Sequence, residues 1–444
     1  MQLVAYGAQD VYLTGNPKVT FFQAVYKRHT NFALEVIQQT VNGTAGNDGR
    51  VSVTIARNGD LIGDMYVELK TKSSGLVTST AGTISTTFDT NWVAERAIKD
   101  VELSIGGQRI DKHYQLWWRL YSELYLNSDK KDNYAKLTTC AQAHSGQVFL
   151  PLLFFFNRNP GLYLPLIALQ YHEVRLDFDL SSYFASYLDT SVFNVWGNYV
   201  YLDTEERRRF AQKGHEYLID QVQHTGADSV TSGGTSQVRL SYNHPVKELV
   251  WCYTKSQTSG PAMWNFTSNA GTLNSVVLES NVENISTIAD GNSYVLSSTS
   301  KATGVPMVLS GVNVAGSVSK VSTCQWLEEG TPSATMSAGP VSTFKLILNG
   351  QDRFKEQSGK YFNQMEPFMH HSGCPYPGVY SYSFALKPEE HQPTGTCNFS
   401  RIDNAQVQIV NKSTTMDNTS QWMFAVNYNV LRIQSGMGGL AFSN

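Results

Sequence analysis

Residues 380–410 read YSYSFALKPEEHQPTGTCNFSRIDNAQVQIV. Two extended runs, 380–386 and 405–410, flank a bend built on Pro388, Pro393 and Gly395. In the second run Val407 and Ile409 alternate with Gln406 and Gln408, the period of a strand with one buried face. The same unit occurs earlier. Residues 149–156 (FLPLLFFF) are followed by Pro160, Gly161 and Pro165, then by 174–180 (VRLDFDL). There Val174, Leu176, Phe178 and Leu180 face one way, while Arg175, Asp177 and Asp179 face the other.

Three further blocks repeat in the same order. Residues 238–253 (VRLSYNHPVKELVWCY) parallel 51–69, two strands around a turn. Residues 344–355 (FKLILNGQDRFK) parallel 101–112 (VELSIGGQRIDK), each an alternating strand, a Gly-Gln turn and an Arg/Asp pair. Residues 423–433 parallel 194–202. Four blocks in one order imply a tandem duplication of a β-domain of about 200 residues. The period changes at 113–126 (HYQLWWRLYSELYL), where Leu116, Leu120 and Leu124 recur as on an amphipathic helix. Asp203 or Thr204 caps a second, short helix with Glu205 and Glu206 in its first turn.

The expected fold is all-β: two tandem eight-stranded antiparallel jelly rolls with short helices in the connections. The expected division is an N-terminal arm at 1–24, a first jelly roll at 25–212, a linker at 213–226 and a second jelly roll at 227–444. The second half carries a long Ser/Thr/Gly/Asn-rich insertion at 254–341, a length usual for functional or edge loops.

Composition narrows the function. Of 444 residues 16% are charged and the net charge is −3, without the basic surplus of a general nucleic-acid binder. Five scattered cysteines without a CxxC pair suggest reduced thiols and offer no zinc spacing. The longest apolar run, 148–156, is broken by Pro151 and is too short to span a bilayer. The expectation is a soluble chain made in the cytosol. His370, His371 and His391 lack the His-x-His and following Glu of a cupin metal site, so no metal or cofactor is expected. Asp177 and Asp179 share a strand face, superficially a hydrolase pair, but no second catalytic feature accompanies them. No catalytic residue is assigned. The competing reading is a carbohydrate-binding or carbohydrate-cleaving β-sandwich using Trp264 or Trp326 in the insertion.

Gly107 and Gly350 supply permissive backbone for tight turns. Arg109, Asp111, Arg353, Arg401 and Asp403 are candidates for buried or interfacial ion pairs that fix domain geometry.

Several long stretches resemble one family. They are GAQDVYLTGNPKVTFFQAVYKRHTNFALE (7–35), IGGQRIDKHYQLWW (105–118), YNHPVKELVW (242–251), PEEHQPTGTCNFSRID (388–403) and NYNVLRIQSGMGGLAFSN (427–444). Together they are similar to major capsid proteins of nucleocytoplasmic large DNA viruses, most of all the algal-virus branch. The resemblance spans nearly the whole chain and lapses at 254–341. It implies a double jelly-roll subunit, no enzyme, that trimerises into a pseudo-hexagonal capsomer of an icosahedral shell in the virion. Implied partners are further copies, penton and minor capsid proteins, and an internal membrane beneath the shell, with no direct nucleic-acid contact. A minor capsid or spike protein of the same virus is a third reading, after the carbohydrate-directed one. Some members carry surface glycans. Of six Asn-x-Ser/Thr sequons, about as many as composition alone gives, Asn265, Asn284, Asn411 and Asn418 fall in expected loops and are the candidate acceptors. Asn42 and Asn398 are not among them.

Overall fold

The computed structural model describes residues 7–72, 92–139, 146–231, 233–254, 266, 339–375, 378–411 and 420–442, with four short strand segments between 274 and 326. In the first half the strands are β1 (Phe32–Gln39), β2 (Arg50–Thr54), β3 (Leu61–Thr71), β4 (Ile98–Ile105), β5 (Gln108–Tyr114), β6 (Gln147–Pro151), β7 (Val174–Leu180) and β8 (Leu188–Leu202). They pair as two antiparallel sheets, β1-β8-β3-β6 and β2-β7-β4-β5. In the second half they are β9 (His215–Ser229), β10 (Thr235–Leu240), β11 (Pro245–Thr254), β12 (Val341–Leu348), β13 (Gln351–Asp352), β14 (Val379–Ser383), β15 (Ala405–Asn411) and β16 (Ser420–Gln434). Their sheets run β9-β16-β11-β14 and β10-β15-β12-β13. The second order is the first with each strand advanced by one domain. This is the jelly-roll arrangement twice over. A short β17 (Met437–Leu440) folds back on β16.

Alternation fixes which face is inside. Val51 and Val53 of β2, Leu103 and Ile105 of β4, and Leu176 and Phe178 of β7 are fully enclosed with Val67, Leu69, Val148, Leu150 and Val195 of the opposite sheet. In the second sandwich the same positions hold Val238, Trp251, Phe344, Leu346, Val407, Ile409 and Ala425. Each fully buried side chain of this size contributes about 1.5–3 kcal/mol. The two hairpin turns are of one kind. Gly106-Gly107 (φ +57° and +83°) joins Ile105 to Gln108, and Asn349-Gly350 (φ +52° and +77°) joins Leu348 to Gln351. Two successive positive φ values define the type I′ turn that matches strand twist, which explains the repeated glycine.

Helices fill the connections: α1 (Val93–Ala97), α2 (Gln115–Leu124), α3 (Ser128–Thr138), α4 (Thr204–Gln212) and α5 (Glu366–His370). Helix α2 occupies the expected place, with Leu116, Trp117, Leu120 and Leu124 buried. Asp203 caps α4, its side chain accepting from the Thr204 amide.

Four expectations change. The run at 149–156 is a strand only as far as Pro151, which has no amide to extend the ladder. Beyond it Phe155–Arg158 make a helical turn. Asn157 holds that turn, accepting from the Phe154 amide at 3.2 Å and donating to the Gly63 carbonyl at 2.8 Å. Likewise 380–386 is strand only to Ser383. The expected linker at 213–226 is instead most of β9, paired with β16 from His215↔Ile433 to Ser229↔Ser420. Its polar residues look loop-like because Asp220 and Gln221 are buried where the two halves meet. Finally, residues 7–31 are irregular apart from one helical turn at Asp10–Thr14 and nearly all are exposed, so the arm runs past 24 and the first strand begins only at Phe32.

Candidate assembly surfaces

The two sandwiches join in a directed way. The connection from β5 to β6, carrying α2, lies along the first half's edge and packs on the outer face of sheet β9-β16-β11-β14. Alternation exposes the logic. Leu249, Trp251, Met423 and Ala425 point into their own sandwich. Their neighbours Val250, Cys252, Phe424, Val426 and Val379 point outward and belong to the core of the first half. Trp117 of α2 meets Phe424 at 5.7 Å between ring centroids, and Tyr114 meets His224 at 5.0 Å.

Polar groups pin this seam. Asp111 pairs with His113 at 3.0 Å and accepts the Val222 amide at 3.1 Å. Gln221 donates to the Ile110 carbonyl. Asp220 receives Lys247 at 3.0 Å and Arg158 at 3.4 Å. Burial pulls the Lys247 ammonium below its ordinary range, and Asp220 only partly restores it. On the buried side of α2, its own Arg119 bridges Glu95 (3.5 Å) and Glu123 (2.9 Å) and stacks over Trp92 at 4.0 Å, and Lys131 joins Glu123. Lys131 also reaches the Cys374 carbonyl at 3.0 Å, clipping the second half to the first.

At the other end of that clip His371 sits between Glu248 (3.1 Å) and Glu389 (3.3 Å). Tyr125 of the first half stands edge-on to the ring, and Ser372 donates to the Tyr125 carbonyl. Burial opposes the imidazolium, but the Glu248 and Glu389 carboxylates outweigh it and lift the group to about 9. A histidine raised in the folded state contributes stability that is complete below its unfolded value near 6.5 and lost as pH climbs through 9. The expected result is a fall of about 2–3 kcal/mol in stability between pH 6.5 and 9.5. His371→Gln flattens that slope in pH-dependent thermal unfolding. An unchanged slope in the variant would remove His371 as its source.

The remaining expected site residues separate. Gly107 and Gly350 hold the turns assigned to them. Asp111 is buried, but with His113 rather than an arginine, and Arg109, Arg353, Arg401 and Asp403 are all exposed. The buried ion pairs expected at those four positions are therefore corrected: none is enclosed within the chain. Asn411 is a second correction. It ends β15 only 4% exposed, its amide donating to the Thr231 carbonyl at 2.7 Å. A side chain so engaged presents no acceptor nitrogen. Asn265, Asn284 and Asn418 lie outside the described residues, as do the side chains of Trp264 and Trp326. Asp177 accepts from Ser52 (2.6 Å) and Arg175 (2.9 Å), so its carboxylate is committed to a strand-face network. His370 shares Nδ1 with the Leu386 carbonyl at 3.0 Å.

What sequence reading missed are the uncovered apolar faces. On β1, Ile37 and Gln39 turn inward, leaving Phe32 (52% exposed), Leu34 (56%) and Val36 (51%) on the outer face. Trp196, Tyr66 and Phe149 continue that face across β8, β3 and β6. A second patch gathers Met365, Phe368 (83%) and Met369 around α5, with Leu386 (74%) beside it. The N-terminal segment adds Tyr12, Leu13, Phe21, Phe22 and Tyr26, all almost fully exposed. Alternation at 32–36 was a signal, but it does not say which face is inward. Exposed apolar surface of this extent marks a protein that associates.

Comparison with known proteins agrees with the architecture. The model of the large eukaryotic DNA virus major capsid protein matches residues 206–439, and that of the major capsid protein N-terminus matches 20–203. The chain is 42% identical to the major capsid protein of Paramecium bursaria Chlorella virus 1, covering 100% of this chain and 99% of that one. It is 40% identical to the major capsid protein of Phaeocystis pouchetii virus over the same shares. Among solved structures, a quasi-atomic model of the PBCV-1 virus capsid superposes with TM-score 0.73 at 38% identity, covering 96% of this chain and 100% of that one. Two fused jelly rolls and this similarity along the whole length agree: the chain belongs to the major capsid proteins of large eukaryotic DNA viruses, structural proteins of the virion shell.

Proposed function

We propose that the chain works by self-association alone, as a homotrimeric capsomer of pseudo-hexagonal outline tiling an icosahedral shell. The observation that carries the reading is the directed joining of two like sandwiches with apolar faces left uncovered at both ends. Two similar domains per chain let a three-fold oligomer fill a roughly six-fold lattice position. Further partners follow from the resemblance: penton and minor capsid proteins at the shell's vertices and seams, and a membrane inside it. Synthesis in the host cytosol and glycans at Asn265, Asn284 or Asn418 belong to the same reading. Electron microscopy of the purified protein tests it. Class averages with three-fold symmetry and a six-sided outline support the capsomer; single two-lobed particles at every concentration contradict it.

A further inference from the structure

From Val11 to Leu34 the chain carries Lys18, Lys27 and Arg28 and not one carboxylate. With −3 on the whole chain, those three cations leave −6 on the remainder. The same stretch holds the five most exposed large apolar side chains among the described residues. They are Tyr12, Leu13, Phe21, Phe22 and Tyr26, from 87% exposed at Leu13 to 99% at Phe22. The two kinds of residue interleave: Lys18 precedes Val19, Phe21 and Phe22, and Tyr26 is followed at once by Lys27 and Arg28. Pro17 rules out one continuous helix, and only Asp10–Thr14 makes a helical turn.

The arm leaves the body at a second basic place. Phe32, where β1 begins, pairs with Leu202 at the end of β8, so the arm departs beside α4. Thr30 lines a shallow groove with Glu206, Arg209, Gln212 and Lys213. Two cations of α4 are taken up locally, Arg207 by Asp60 at 2.9 Å and Arg208 by Glu205 at 3.1 Å. Arg209 and Lys213, like Lys18, Lys27 and Arg28, are exposed and make no ion pair among the described residues.

These features define the chemistry of what covers the arm. It has to accept aliphatic side chains, aromatic side chains and cations together, along a segment without regular structure. A nucleic-acid strand would stack on the rings but offers nothing to Leu13, Val19 and Val25. The headgroup boundary of an anionic bilayer takes all three: apolar side chains enter it, while Lys and Arg stay at its charged surface. The negative remainder of the chain is repelled by that surface, so the contact is confined to the arm.

We propose that residues 11–31 are an interfacial anchor for an anionic lipid surface, with Arg209 and Lys213 facing the same surface at its base. This rests on the capsid reading for the presence of a membrane and not for the trimer, since every chain carries its own arm.

Flotation of the full-length protein with lipid vesicles tests it. The wild type should float with phosphatidylcholine–phosphatidylserine vesicles at low salt and stay behind with phosphatidylcholine alone. Added salt should release it. Lys27→Gln/Arg28→Gln should weaken binding roughly 25-fold, about fivefold for each cation lost from the surface. Phe21→Ser/Phe22→Ser should also lose binding, at unchanged charge. All four positions are exposed and outside every strand, and unfolding midpoints equal to that of the wild type verify that the variants fold. Their mass by light scattering should equal that of the wild type. A wild type that ignores anionic vesicles, or floats equally with neutral ones, overturns the anchor while its solution mass still judges the capsomer. Either variant floating as well as the wild type overturns it too. A fall in solution mass with Phe21→Ser/Phe22→Ser would assign the arm to a second copy of the chain instead.

Discussion

Replacing Trp251 by alanine should cost about 3–5 kcal/mol of stability, the range for emptying a large aromatic site in a packed core. Trp251 lies on the inner face of β11 with no exposed surface. It stacks on Phe344 at 4.4 Å and on Tyr380 at 5.6 Å, with Phe362 also at 5.6 Å. These rings come from both sheets and from the turn preceding α5, so one side chain ties three layers together. Trp251→Phe keeps the aromatic contact and should lose markedly less. Chemical denaturation of both variants decides it: a loss under about 1 kcal/mol for alanine would mean the site collapses without a cavity.

The second large effect concerns Arg119. Its guanidinium is enclosed between Glu95 and Glu123, with the Tyr134 hydroxyl donating to Glu95 at 2.7 Å. Arg119→Met leaves buried carboxylate without that cation, a change that costs about 3–5 kcal/mol. The deficit should depend on pH with a definite sign. Burial raises the Glu95 carboxyl to about 7, and Arg119 is the strongest influence holding it down. Removing the cation lifts it further. Below pH 7 Glu95 is protonated in both folded proteins, so this part of the deficit is absent. Above 7 the wild type ionises while the variant resists, and the deficit grows. Thermal unfolding at pH 6 and pH 8.5 should show the larger gap at the higher pH. A gap that shrinks at pH 8.5 would contradict the assignment.

Much of this architecture is legible in the sequence where the physics is local. The turns at Gly106-Gly107 and Asn349-Gly350 are written in residue types that tolerate positive φ, so the repeat they mark is visible without a structure. The face of α2 follows from leucines four apart, and the cap of α4 from Asp203. The rest depends on what lies across a boundary. Strand β9 reads as a linker because its polar residues answer groups in the other sandwich: Gln221 to Ile110, and the Val222 amide to Asp111. Asn411 looks like a loop sequon, yet its amide is spent on Thr231. Asp111 finds a histidine two residues along the same strand, not the arginine that spacing suggested. Phe32, Leu34 and Val36 alternate correctly for a strand, but alternation alone does not say which face the fold leaves exposed.

The central claim is that this chain is half-finished as a monomer and complete as a ring. The most direct measurement is the solution mass of the wild-type protein by light scattering across a hundredfold range of concentration. Three chain masses of 49.4 kDa, constant over the range, is the predicted result. A single chain mass at every concentration would contradict it.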